Sequence, residues 1–224
     1  MTRRDFVIAT FAGAVGLSSA SRVAAWQKAV EPDLAGLADA RSLAVFNRSA
    51  GSLTDGVRKG LRLNEGQGDG VAYVKGTEFG NGTIALDIRG KDLPQQSFVG
   101  VAFHGVDATT YDAIYFRPFN FRTEDAARRV RAVQYISHPV NTWQKLRTEQ
   151  PGKYEQPVNP VPDPNGWFHA RVVVASPKVS VFVNDAKEPC LIVDQLSDRK
   201  TGLVGLWVGN MSSGDFANLR IVAG

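Results

Sequence analysis

The stretch Val99-Gly100-Val101-Ala102-Phe103-His104 alternates bulky apolar residues with small or polar ones. Its odd-numbered residues share one side of an extended chain and its even-numbered residues share the other, because successive side chains of a strand point to opposite faces. The same period of two recurs near residues 84–88, 114–116, 172–174, 179–183, 206–208 and 219–221. Many short strands of this kind predict an all-β sandwich or barrel.

Turn-forming residues separate the predicted strands. Asn81-Gly82 precedes one strand, Gly90-Lys91-Asp92 follows it, and Asn184-Asp185 ends a hairpin arm. One helix is predicted near residues 140–148, ended by Pro151-Gly152. It lies in a long proline-rich segment, 139–165, and long segments on a rigid scaffold often carry function.

The first 25 residues read as an export signal. Arg3 and Arg4 precede Phe6 and an apolar run over residues 7–20, and Val23-Ala24-Ala25 offers small residues for cleavage. The run is shorter than the roughly 20 residues that a membrane-spanning helix needs, so we expect no permanent membrane anchor. The sequence predicts a twin-arginine signal over 1–25, a linker or lead-in over 26–42, one domain over 43–224 and a periplasmic or extracellular location. An ordinary secretory signal or an uncleaved anchor is the alternative.

Composition and motif content exclude several function classes. The first 25 residues hold three arginines and one aspartate, so their removal lowers the net charge from +4 to +2 and leaves little support for a nucleic-acid partner. Cys190 is the only cysteine, so no internal disulfide is possible. The three histidines lie far apart in the sequence, outside any metal-ligand spacing, and neither a Gly-x-Ser-x-Gly nucleophile motif nor a phosphate loop is present. We therefore expect no cofactor; a calcium ion is the open alternative, although no motif supports a site for it.

The strand positions opposite the aliphatic set form an unusual surface. They combine small residues with aromatic and planar polar ones: Thr83, Ala85, Asp87, Gly100, Ala102, His104, Tyr115, Arg117, Gln134 and Trp207. Small residues leave room above a sheet, aromatic rings stack on the C–H face of a sugar, and planar polar groups bond its hydroxyls. The pattern favours a sugar-binding groove; the alternative is that the aromatic residues support loops. The segment 117–147 is basic by five charges, which indicates a solvated loop or an anionic ligand.

Several longer motifs carry a family resemblance. They are Asn81-Gly82-Thr83-Ile84, residues 98–105, residues 111–121, Val133-Gln134-Tyr135, Trp143, Asn165-Gly166-Trp167-Phe168 and residues 205–209. Over roughly residues 40–222 the chain resembles the 3-keto-disaccharide hydrolase-like family, which has a concanavalin A-like, laminin G-like jelly-roll fold. The resemblance implies a two-sheet antiparallel jelly-roll sandwich with one short helix in a long loop. It also implies a saccharide or glycoside ligand.

The resemblance further implies a cleavage chemistry and a set of site residues. A ketone at C3 of a sugar acidifies the neighbouring C–H, so that one base and one oxyanion partner suffice for elimination. His104 or Asp87 is the implied base, and Arg117 or Tyr115 the implied enolate partner. The implied substrate contacts are Asn120, Arg122, Gln134, Tyr135, His138, Trp143 and Trp207.

One departure from related proteins weakens the catalytic interpretation. Jelly-roll glucanases carry Glu-x-Asp-x-x-Glu on one strand, and this chain has Ala85, Asp87 and Gly90 there, so paired-carboxylate hydrolysis is not expected. Three interpretations therefore remain open: a glycoside-cleaving enzyme, a non-catalytic carbohydrate-binding module, and a structural envelope protein.

Overall fold

The computed structural model describes residues 29–224; residues 1–28, and with them the predicted export signal, lie outside this description. Fifteen strands follow one another in the described chain: β1 Ala29–Val30, β2 Leu43–Phe46, β3 Ala50–Asp55, β4 Arg58–Leu63, β5 Gly70–Phe79, β6 Gly82–Arg89, β7 Val99–Gly105, β8 Tyr111–Phe116, β9 Val133–His138, β10 Glu155–Gln156, β11 Phe168–Ala175, β12 Lys178–Val183, β13 Leu191–Asp194, β14 Gly202–Val208 and β15 Gly214–Ala223. Every strand pairing among them is antiparallel.

The strands form two facing sheets. The first has the order β13-β12-β11-β6-β15-β4-β3, with β1 beside β15. The second has the order β10-β9-β8-β7-β14-β5-β2. In both sheets a strand from the end of the chain lies between two from its first half, which is the interleaving of a jelly roll. The predicted two-sheet jelly-roll sandwich is confirmed.

The aliphatic positions of the sequence pattern form the core. Ile84, Leu86 and Ile88 of the first sheet are fully buried, as are Val99 and Val101 of the second. Their neighbours in sequence point away from the sandwich, because the side chains of a strand alternate between its faces. The outer face of the second sheet is the part of the fold that carries the candidate site.

Three α-helices and one 3-10 helix accompany the described strands: α1 Leu34–Asp39, α2 Ala126–Arg129, α3 Trp143–Glu149 and a 3-10 turn at Pro118–Asn120. Helix α3 is the predicted one, and Thr142 caps it by accepting a hydrogen bond from the backbone N–H of Lys145. The predicted lead-in has order of its own, because α1 buries Leu34 and Ala38 in the core. Within residues 29–224 no helix is long and apolar enough to cross a membrane.

Candidate functional site

A cavity of about 740 Å³ opens on the outer face of the second sheet. Side chains of β8, β9 and β14 form its floor. Helix α3, the segment 117–131 and the loops around residues 68, 95 and 210 form its walls. Its size falls in the range of sites that hold small molecules.

Two aromatic rings meet on the floor across a glycine. Gly100 of β7 pairs with Trp207 of β14 on one side and with Tyr115 of β8 on the other. The rings of Tyr115 and Trp207 approach to 4.9 Å between centroids, although a strand separates them. A Cβ at Gly100 would lie 2.9 Å from the Cβ of Tyr115, closer than side-chain atoms normally approach. The glycine therefore lets the rings form one continuous apolar surface.

Asp69 and His138 lie together at one end of the cavity. The indole N–H of Trp207 donates to the Tyr111 hydroxyl (3.1 Å), which donates to Asp69 Oδ2 (3.2 Å). Nδ1 of His138 lies 3.9 Å from the same carboxylate oxygen, and its ring stacks on Tyr111 with centroids 5.1 Å apart. Burial lowers the pKa of His138 and raises the pKa of Asp69. A His138 with a lowered pKa is neutral at pH 7 and can accept a proton.

Arg117 lies nearly buried at the other end of the cavity, with 5% of its surface exposed. It donates to the backbone carbonyl of Arg131 (2.9 Å), to the Tyr115 hydroxyl and to Gln134 Oε1. The Tyr115 hydroxyl in turn donates to Gln134 Oε1 (2.9 Å), and burial raises the pKa of Tyr115 to about 12. The Tyr115 hydroxyl proton is engaged in the hydrogen bond to Gln134. Tyr115 therefore presents the face of its ring to the cavity and is not a proton donor there.

Glu155 of β10 lies among three of the cavity's arginines. It accepts two hydrogen bonds from Arg147, at 3.0 and 2.7 Å. Its carboxylate is also 3.8 Å from Arg117 Nη1 and 3.6 Å from Arg131 Nε. Arg147 additionally stacks on Trp143, with 4.8 Å between the guanidinium carbon and the ring centroid. Glu155 thus fixes the guanidinium groups and joins helix α3 to the sheet.

Six residues predicted from the sequence line the cavity: Tyr115, Arg117, Asn120, His138, Trp143 and Trp207. Gln134 is fully buried beneath them and orients Tyr115 and Arg117. These seven residues therefore lie together on one outer surface, as the sequence pattern predicted for aromatic and planar polar residues.

His104 does not reach the cavity. Its backbone has a φ of 48°, in the left-handed region, which interrupts the alternation of β7 and turns the ring toward the interior. There Nδ1 lies 3.2 Å from Asp112 Oδ2 and Nε2 lies 3.0 Å from the carbonyl oxygen of Gly80. Fully buried in this network, His104 cannot act as a base on a ligand in the cavity.

Asp87, Tyr135 and Arg122 also lie outside the cavity lining. Asp87 is on the outer face of the first sheet, bonded to His169 (2.8 Å) and Asn218 (2.8 Å). Tyr135 points into the core, one position out of phase with Gln134, and stacks on Phe103. Arg122 is exposed on the loop after the 3-10 turn. The implied roles of Asp87 as base and of Tyr135 and Arg122 as substrate contacts therefore have no geometric support in this cavity.

The sequence interpretation missed several residues of the site, chiefly Asp69, Tyr111 and Glu155, and it noted Arg147 only as a member of the basic segment 117–147. Tyr111 could have been predicted as a site residue, because it lies four positions before Tyr115 on the same strand and therefore shares its face. Asp69 lies in the turn Gly68-Asp69-Gly70, which has no periodicity, and only the sheet order brings it to Tyr111.

In residues 29–224 no group of three or more His, Cys, Asp or Glu side chains could hold a metal ion.

Comparison with solved structures places the fold among carbohydrate-binding and galectin-like jelly rolls. Carbohydrate-binding module CBM66 from Bacillus subtilis matches with a TM-score of 0.56 at 14% identity, over 80% of this chain and 95% of that one. A protein of unknown function with a galectin-like fold, also from Bacillus subtilis, matches with a TM-score of 0.55 at 12% identity, over 86% and 94%. The exoplasmic/lumenal domain of VIP36, in a form bound to Ca2+ and Man3GlcNAc, matches with a TM-score of 0.51 at 10% identity, over 80% and 82%. At these identities the likeness shows the fold alone.

The chain is a jelly-roll domain of a carbohydrate-related family. It belongs to the family of 3-keto-alpha-glucoside-1,2-lyase-like domains, whose model matches residues 18–222. The resemblance predicted from its motifs is therefore confirmed. No curated protein matches the chain.

Proposed function

We propose that this protein cleaves a 3-keto glycoside by elimination, with His138 as the base. The observation that carries the proposal is the pairing of His138 with Asp69 in the same cavity as an aromatic floor and a buried arginine. The family to which the chain belongs is named for a lyase acting on 3-keto-α-glucosides, which supports the same reaction class. His138 replaces His104 and Asp87 as the candidate base, since both of those residues lie outside the cavity.

The proposed reaction requires one proton acceptor and stabilisation of one developing negative charge. The base takes the proton from C2, next to the C3 ketone, and the C–H electrons delocalise into the carbonyl as an enolate. The enolate then forms the C1=C2 double bond while the C1–O glycosidic bond breaks, and the leaving oxygen takes up a proton. The products are an unsaturated keto-sugar and an alcohol, and addition of water to the former completes a net hydrolysis.

The side chains of the cavity match these requirements. His138 is partly exposed and has a lowered pKa, which keeps it in the basic form at pH 7. Asp69 lies 3.9 Å from His138 and stabilises the imidazolium that forms when the proton is taken. Arg117, which lines the same cavity, supplies positive charge for the enolate in a partly enclosed site, where such a charge acts more strongly than in water. Tyr115 and Trp207 offer the ring faces on which a sugar stacks.

The test compares two histidine variants on one substrate. His138→Gln removes the proposed base, and His169→Gln removes a histidine on the opposite sheet, where it bonds Asp87. With a 3-keto glucoside as substrate, we expect His138→Gln to lower kcat/KM by about 10²-fold or more, the usual contribution of a general base, and His169→Gln to leave it nearly unchanged. The wild-type rate should fall as the pH is lowered through the pKa of His138, which burial holds below its ordinary value, because protonation then removes the base. Full activity of His138→Gln would overturn the assignment.

A non-catalytic carbohydrate-binding role is the second candidate. Asp69 is the sole carboxylate among the residues lining the cavity in the described chain, so a paired-carboxylate mechanism has no basis. The solved neighbours include a carbohydrate-binding module, and the tryptophans of the cavity suit binding without turnover. Saturable quenching of tryptophan fluorescence by the 3-keto glucoside, with no product formed, would favour this role.

We propose further that the protein acts outside the cytoplasm. The support is Arg3-Arg4 followed by a short apolar run and small residues before residue 26. A single-core domain without a disulfide is compatible with export in the folded state, which is the twin-arginine route.

A further inference from the structure

The cavity has an uneven charge distribution. Four arginines line it, Arg117, Arg128, Arg131 and Arg147, and all four come from the segment 117–131 or helix α3. Glu155 is the carboxylate that lies among them, and both of its oxygens accept hydrogen bonds from Arg147. One negative charge therefore faces four positive ones. We call this arginine-lined part of the cavity its basic end.

The other partners of these arginines are neutral. Arg117 donates to a backbone carbonyl, a tyrosine hydroxyl and an amide oxygen. Arg128 donates to Asn120 Oδ1 (3.3 Å) and to the carbonyl oxygen of Phe119 (3.4 Å). The guanidinium of Arg131 makes an ion pair with Glu155 at 3.6 Å and no hydrogen bond within the described chain. Neutral acceptors satisfy the donors but leave the positive charge uncompensated.

The surplus positive charge of the basic end is within reach of a ligand. Arg117 and Glu155 are buried, at 5% and 6% exposure, and lie 3.8 Å apart, whereas the side chains of Arg147 and Arg131 are 25% and 39% exposed. A neutral sugar would add hydrogen bonds without supplying the missing negative charge. A carboxylate supplies it, and the planar guanidinium fork matches carboxylate geometry.

We propose that the ligand of this cavity carries a carboxylate, as an acidic sugar does, and that the carboxylate binds at the basic end. This inference rests on the proposed sugar function and adds the substrate class. It also sets the orientation of the ligand in the cavity, because the carboxylate of Asp69 would repel the carboxylate of a ligand bound near His138. The reacting carbons then lie toward His138, and the acidic group lies toward Arg131.

The first test compares the binding of three probes by tryptophan fluorescence: methyl α-D-glucuronide, methyl α-D-glucoside and sodium acetate. We expect the glucuronide to bind about tenfold more tightly than the glucoside, the gain of one charge-assisted contact, with the difference shrinking as salt is raised. Acetate should bind far more weakly than the glucuronide. Equal affinities of the two sugars overturn the inference, as does acetate binding as tightly as the glucuronide. The proposed function has a separate readout, cleavage of a neutral 3-keto glucoside, and survives either result.

A second test changes the charge of the site with little change of shape. Gln134→Glu places a carboxylate beside Arg117. The change removes no hydrogen bond, because Nε2 of Gln134 has no partner among the described residues and the carboxylate can still accept from Arg117. We expect it to weaken glucuronide binding about fivefold or more, and to weaken glucuronide binding more than glucoside binding, because only the glucuronide carries a charge that the new carboxylate repels. Arg131→Gln, at a side chain 39% exposed, should act in the same direction and serves if Gln134→Glu does not fold.

The matched control is Arg171→Gln. Arg171 lies on the first sheet, stacked on Phe182 at 3.7 Å, so the change removes a positive charge away from the cavity. Glucuronide binding should be unaffected. If the control weakens binding as much as Arg131→Gln does, the effect belongs to the net charge of the protein and the inference is overturned.

Discussion

At the scale of single residues, Gly100 determines the floor of the cavity. It is the position on β7 that lies between Tyr115 and Trp207, and the rings close over it. Any side chain there would have to occupy the space in which the aromatic surface forms. A Cβ would also clash with the carbonyl oxygen of Ile114, which is backbone and cannot rotate away.

Gly100→Ala should therefore destabilise the protein, although alanine is normally better than glycine in a strand. We expect a loss of about 1–3 kcal/mol in the free energy of unfolding, typical of overpacking. Chemical denaturation measures it. Gly51→Ala on β3 is the matched control, since a Cβ there meets nothing within 4 Å. A Gly100→Ala variant as stable as Gly51→Ala would contradict the account of the floor.

Residue alternation explains both the successes and the failures of the sequence predictions. It predicted that Tyr115, Gln134 and Trp207 face away from the core, because each lies in a regular strand. It failed at His104, where a left-handed φ at the end of β7 reverses the direction of the side chain. It could not locate Asp87 relative to the cavity either, because alternation says that a residue faces outward but not from which sheet.

At the scale of elements, Glu155 holds helix α3 against the second sheet. It receives two hydrogen bonds from Arg147 of the helix and lies within ion-pair distance of Arg117 and Arg131. Helix α3 has seven residues and buries only Leu146, so its own packing fixes it weakly. The carboxylate therefore fixes one wall of the cavity.

Glu155→Gln should loosen that wall. It leaves the nearly buried Arg117 and the partly exposed Arg147 and Arg131 without a counter-charge, and we expect a loss of about 3 kcal/mol in the free energy of unfolding. Amide hydrogen exchange of residues 143–149 should quicken, which mass spectrometry can follow. Asp194→Asn is the control, because it breaks an ion pair with Lys178 in which both side chains are more than half exposed. It should leave the unfolding midpoint nearly unchanged. Equal effects of the two variants would contradict this role for Glu155.

The elements themselves were only partly predictable from the sequence. Helix α3 was predicted because it lies between turn-forming residues, and the strands because their period is regular. Helix α1 was not predicted, since its alanine- and glycine-containing sequence gives little periodicity and its order depends on burial of Leu34 and Ala38. Asp69 lies in the site because of the order in which the strands of the second sheet pair. That order cannot be predicted from the sequence of any one segment.

At the scale of the whole molecule, the two-sheet sandwich carries the candidate site on the outer face of its second sheet. Export is proposed from residues 1–25 alone, and it is tested independently of the site. Replacement of Arg3 and Arg4 by lysine should retain the full-length protein in the cytoplasm, which cell fractionation would show, whereas Arg22→Lys should not affect export. Unchanged export of the double variant would indicate the ordinary secretory route instead.

The central claim is that the cavity cleaves a glycoside through an enolate. The most direct test offers the purified wild-type protein a 3-keto glucoside and the parent glucoside with its C3 hydroxyl intact, and measures the alcohol released. The account predicts release from the keto compound only, because the ketone alone acidifies the C2 proton. Binding of both compounds without release from either would contradict the account and favour the carbohydrate-binding role.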